Sequence, residues 1–120
     1  MPLEEEIMNA VGAHGVWKMR LKSAIESGKS QFQVATVQKD NQCDFGKWLH
    51  SLQATAQTSE HYKKVRQLHS EFHREAAHVL DLALNGKKAD AEKSVTAGGA
   101  FFRLSSELTA GLMSWKNAGQ

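Results

Sequence analysis

Along most of the chain, apolar residues recur at alternating steps of three and four, the spacing of amphipathic helices packed side by side. The first such pattern runs from about Leu3 to Ser27, with an inward stripe of Ile7, Val11, His14, Lys18, Leu21 and Ile25. Two members are polar. Lys18 can extend its head to water, with Trp17 or Leu21 as the real contact, whereas His14 has no such escape. Glu4, Glu5 and Glu6 suit the positive end of a helix dipole, and Gly28 stands where a left-handed cap would end the helix. Between Lys29 and Gln42, Phe32, Val34 and Val37 alternate with polar residues like a strand. A lone strand has no partner, so a second helix or an irregular connection is expected, with Asp40-Asn41 as a turn or cap.

From Cys43 to Gln53 the pattern predicts a short helix bearing Phe45, Trp48, Leu49 and Leu52 on one side, with Gly46 marking a close backbone approach. Thr58-Ser59 can cap a long helix whose stripe is Tyr62, Val65, His69, Phe72, Ala76, Val79 and Ala83, widened by Leu68, Leu80 and Leu84. Asn85-Gly86 is its stop signal. A last helix is expected from about Lys88 to Lys116, with Ala91, Val95, Gly98, Phe102, Ser105, Leu108, Leu112 and Trp115 inward and Phe101 and Leu104 beside them. Gly98-Gly99 inside it costs about 1 kcal/mol per glycine, which tight helix packing would explain. The only proline is Pro2. The expected fold is all-α: an antiparallel four-helix-type bundle with a short extra helix carrying the cysteine, residues 1–120 forming one domain.

Composition narrows the function. At 120 residues, 41% hydrophobic and 23% charged, the chain has the balance of a globular domain. Fifteen basic and thirteen acidic residues leave a net charge of +2, too even to attract nucleic acid or an anionic membrane. Lys63-Lys64 and Lys87-Lys88 read as solvated surface. A single cysteine cannot close an internal disulfide, which fits a reducing compartment. The acidic N-terminus is not a signal peptide, and no run reaches bilayer-spanning length. A cytoplasmic location is expected by elimination.

The candidate chemistry lies in four residues. His69 and His73 are four apart on one predicted helix and share a face. His14 sits on another inward stripe, and Cys43 follows a polar turn at the start of the short helix. Three imidazoles and one thiolate form a four-coordinate set of the kind Zn2+ prefers. Such a set would call for a carboxylate or carbonyl to orient the imidazoles, with Asp44, Asp40 and Glu71 as candidates. His50, His61 and His78 read as ordinary surface or helix-end histidines. No catalytic residues are expected. There is no His-Glu-x-x-His pattern, four protein ligands leave zinc no open position, and paired Glu-x-x-His motifs of di-iron bundles are missing.

Ala13-His14-Gly15-Val16-Trp17, Cys43-Asp44-Phe45-Gly46-Lys47-Trp48-Leu49 and His69-x-x-x-His73, in this order, resemble the signature of the chemoreceptor zinc-binding domain. The resemblance extends from about His14 to Trp115, and the cysteine run is its most specific part. It implies a helical bundle whose zinc is held by three histidines and one cysteine, mapping to His14, Cys43, His69 and His73. It also implies a sensory or regulatory role in bacterial cytoplasmic signalling proteins, beside chemoreceptor helices or diguanylate cyclases, with some members homodimeric. No output domain or cyclase motif is recognisable, so the chain is either free-standing or part of a longer protein.

Two signals are then open: zinc occupancy, or oxidation of Cys43, whose sulfenic acid binds metal more weakly than the thiolate. The competing readings are a structural zinc bundle that serves dimerisation or protein interaction, a hemerythrin-like iron protein, and histidines that bind no metal.

Overall fold

Helix α1 spans Pro2–Ser27 and begins with Glu4 and Glu5 in its first turn. It ends where Gly28, at φ 73°, turns left-handed while its N–H still donates to the Ala24 carbonyl. This computed structural model describes residues 2–39, 43–52 and 59–118, and all statements concern those residues. The expected turn at Asp40-Asn41 and the cap at Thr58 lie outside them. Ile7, Ala10, His14, Leu21, Ala24 and Ile25 of α1 are buried, and Lys18 is exposed as its snorkelling stem allowed. Its place on the core side is filled by half-buried Trp17.

The ambiguous stretch resolves into a short helix α2, Val34–Gln38, with Val37 buried. Helix α3, Asp44–Ser51, is capped by Cys43, whose sulfur accepts from the Gly46 N–H, and it buries Phe45, Gly46 and Leu49. Helix α4, Glu60–Leu84, starts at Ser59, whose hydroxyl accepts from the Tyr62 N–H. It is the central element, packing against α1, α2 and the two helices that follow it. Its predicted stripe is buried except for Leu84. Asn85 and left-handed Gly86 end it.

The last predicted helix is two helices, which corrects the single span from Lys88 to Lys116. Helix α5 covers Lys88–Val95 and helix α6 covers Ala100–Asn117. Between them Thr96 is extended and Gly98 has φ 89°. The chain turns so closely that a Cβ on Gly99 would overlap the carbonyl oxygens of Lys93 and Ser94. The break resets the phase of the stripe. Phe101 and Leu104 take the core, while Phe102 and Ser105, placed inward by a continuous helix, do not. Ser94 joins the corner: its hydroxyl donates to Glu75 Oε2 at 2.7 Å and accepts from the Phe101 N–H at 3.0 Å.

Pairings along α4 set the topology. Tyr62 meets Trp115, and Phe72 meets Phe101, so α6 runs antiparallel to α4. The short Asn85–Lys87 turn and the Ser94–Glu75 bond make α5 antiparallel to α4 as well. The fold is an all-helical bundle, 45 Å in its long dimension, close to the about 39 Å of the 26-residue α1 at 1.5 Å per residue. Among the described residues, no helix is long and apolar enough to cross a membrane.

Candidate metal centre

The histidine spacing on α4 puts His69 and His73 on the same buried face, and both point towards α1 and α3. His14 reaches them from the buried stripe of α1. Cys43 is carried in by the start of α3, which Phe45 and Leu49 anchor in the core. The donor atoms of His14, Cys43, His69 and His73 lie within 4.8 Å of one another. Cys43 Sγ is 3.8 Å from His14 Nε2, 3.3 Å from His69 Nε2 and 3.5 Å from His73 Nε2. His69 Nε2 is 3.1 Å from both His14 Nε2 and His73 Nε2.

Tautomers follow from the outer nitrogens. A carbonyl can only accept, so His14 Nδ1–H donates to Ala10 O at 2.8 Å and His73 Nδ1–H donates to Val37 O at 2.9 Å. Each neutral ring then presents a bare Nε2 lone pair to the centre. Lone pairs from separate rings at about 3 Å repel unless something positive lies between them.

The spacing fits zinc. Bond lengths near 2.0–2.1 Å to nitrogen and 2.3 Å to sulfur imply tetrahedral edges of about 3.3 Å between nitrogens and about 3.6 Å between nitrogen and sulfur. The three nitrogen–sulfur edges, 3.3 to 3.8 Å, bracket their value, and the two nitrogen–nitrogen edges of 3.1 Å fall slightly short of theirs.

Burial favours uncharged rings. It lowers the His14 pKa to about 4, against a partial upward pull from the Ala10 carbonyl. Burial, followed by the neighbouring histidines, lowers His69 to about 2. The Cys43 thiol is pushed up by burial, against the opposing pull of backbone N–H groups at the start of α3. Edge-on rings of Phe45 and Phe72 complete the surroundings. At neutral pH the metal-free site therefore holds His14 and His69 as neutral bases beside a protonated Cys43 thiol, a donor set that a divalent cation would organise by displacing the thiol proton.

All four residues named from the sequence meet at this point, and His50, His61 and His78 lie outside the cluster. The carboxylate candidates do not orient the rings. Asp44 is exposed, Glu71 accepts from Gln67 Nε2, and Asp40 lies outside the described residues. The carbonyls of Ala10 and Val37 do this work instead. The first depends on the ring's rotamer, since His69, equally helical, makes no such bond through Nδ1. The second depends on how α2 packs on α4 and leaves no mark in the sequence. His69 Nδ1 is buried with no partner among the described residues. A groove lined by Asn9, His14, Trp17, Arg20, Cys43 and Trp48 leads to the thiol between α1 and α3.

Comparison with curated proteins and with solved structures gives no match. The family profile of the chemoreceptor zinc-binding domain matches residues 14–80, more than half of the 120 residues. That segment begins at His14 and includes Cys43, His69 and His73. The chain belongs to the chemoreceptor zinc-binding domain family, and its three-histidine, one-cysteine cluster fits the zinc that defines that family.

Proposed function

We propose that this chain is a sensory or regulatory zinc module of bacterial cytoplasmic signalling, of the chemotaxis or cyclic-di-GMP type, working as a homodimer. His14, Cys43, His69 and His73 are its ligands. The observation that carries the reading is the convergence of bare Nε2 lone pairs and one thiol, with two rings held by backbone carbonyls. Four protein ligands leave zinc no open position for a substrate, so the role is regulatory rather than catalytic.

Zinc would tie α1, α3 and α4 together, and its loss would release the start of α3 at Cys43, shifting a two-state equilibrium. Cys43 is the oxidant-sensitive ligand. It is half-buried and reached by the groove between α1 and α3. A two-electron oxidant that transfers an oxygen atom to the sulfur gives a sulfenic acid, a weaker ligand than the thiolate.

Metal analysis of protein purified without added metal tests the site. Wild type should carry one zinc per chain, and His73→Ala should carry far less. Zinc-free wild type, or a variant with undiminished zinc, overturns the ligand assignment. Cys43→Ser separates the two signals: an oxidant sensor loses its oxidant response, while a zinc sensor shifts in affinity and keeps its metal response. A purely structural bundle would instead unfold on metal removal without an alternative folded state.

A further inference from the structure

Among the described residues, the large hydrophobics left exposed are Met8, Val16, Met19, Leu84 and Phe102, and three of these five are on α1. Met8 is 48% exposed, Val16 43% and Met19 74%. At 3.6 residues per turn, Met8, Gly12, Gly15 and Met19 fall within a sector about 60° wide, on the side away from buried Ala10, Leu21 and Ala24.

The two glycines make this face unusual. Each costs about 1 kcal/mol relative to alanine inside a helix. A Cβ on Gly12 or Gly15 would meet nothing within 4 Å, so packing within the chain does not account for them. Their absent side chains leave a flat strip between two methionines, on which another helix can approach closely.

The charges identify that helix. Reflecting α1 about the midpoint between Ala13 and His14 pairs Glu5 with Lys22, Met8 with Met19, Val11 with Val16 and Gly12 with Gly15. A two-fold axis level with that midpoint, normal to the helix and lying between two antiparallel copies, sets Met8 against Met19 and Gly12 against Gly15 and brings Glu5 level with Lys22, while Val11 and Val16 fall on the flanks. Apolar then meets apolar, small meets small, and exposed Glu5 meets exposed Lys22 twice, once at each end. Self-complementarity of this kind is what an isologous contact requires.

We infer that this face of α1 is the surface on which a second copy docks, α1 antiparallel to α1. The inference rests on the homodimer in the proposed function and names its interface. A single helix pair lies near the lower limit for a specific interface, about 1,000 Å², so the dimer should dissociate on dilution.

Sedimentation equilibrium of the zinc-loaded full chain tests this. Wild type should be a reversible dimer. Glu5→Lys and Lys22→Glu should each weaken it by about tenfold, because each places like charges together at both ends. The double variant should return close to wild type. All of these positions are exposed and distant from the ligands, so zinc content should stay at one per chain and reports on folding. A dimer indifferent to the single variants overturns this surface and leaves the homodimer standing. Single losses without rescue overturn the antiparallel pairing. A monomeric wild type overturns both, while loss of zinc from wild type would overturn the ligand assignment separately.

Discussion

His14 and His69 show how a buried polar residue can be both a cost and a device. Their folded pKa values lie below the ordinary 6.5, at about 4 and about 2, because burial disfavours the imidazolium. The unfolded chain therefore takes up protons first, and stability present above pH 6.5 is lost as pH falls towards the folded values. For zinc the consequence is a definite proton count. Through the neutral range these rings release no proton on binding, and the raised Cys43 thiol releases one. His14, His69 and Cys43 together should thus raise the logarithm of zinc affinity by about one per pH unit near neutrality. Chelator-competition titrations between pH 6 and 8 check this, and a slope approaching three would mean that His14 or His69 is charged in the metal-free fold. The four clustered residues could be picked out in the sequence because helical periodicity puts His14 and His69 on inward stripes and His73 one turn beyond His69. The groups that hold two of the rings were not, because the Ala10 and Val37 carbonyls belong to the backbone, which every residue has.

The helices were legible wherever capping chemistry and periodicity agreed. Ser59, Asn85-Gly86 and Gly28 mark ends that the structure confirms, and Cys43 is at once the cap of α3 and a member of the metal cluster. The corner between α5 and α6 escaped, since the apolar stripe can be traced through Gly98-Gly99 at helical spacing. The available signal was the doubled glycine itself, together with Phe101-Phe102, where either ring could serve as the inward one. The structure chooses Phe101 because Ser94 accepts from its N–H and so starts α6 in a new phase. Gly99→Ala should destabilise the protein by about 1–3 kcal/mol through the overlap with the Lys93 and Ser94 carbonyls. Urea unfolding reads this directly. An unchanged or raised midpoint would show that the chain does not turn so tightly at Gly99, since in a continuous helix alanine would be the stabilising residue.

For the molecule as a whole, one cluster lies where separate parts of the chain meet. Residues 14, 43, 69 and 73 come from α1, the start of α3 and α4, so a metal held there would close the fold across long stretches of sequence. Fold class and family could be anticipated from pattern and motif order. How α2 packs on α4 to orient His73, and how α5 folds back on α4, depended on tertiary contacts that no local pattern encodes. Everything functional turns on whether zinc is bound by three imidazoles and one thiolate of the same chain. X-ray absorption at the zinc edge of the purified protein measures that shell directly. The expected spectrum has one sulfur at about 2.3 Å and three nitrogens at about 2.0–2.1 Å, with one zinc per chain. A shell without sulfur, or with two sulfurs shared between chains, would contradict it.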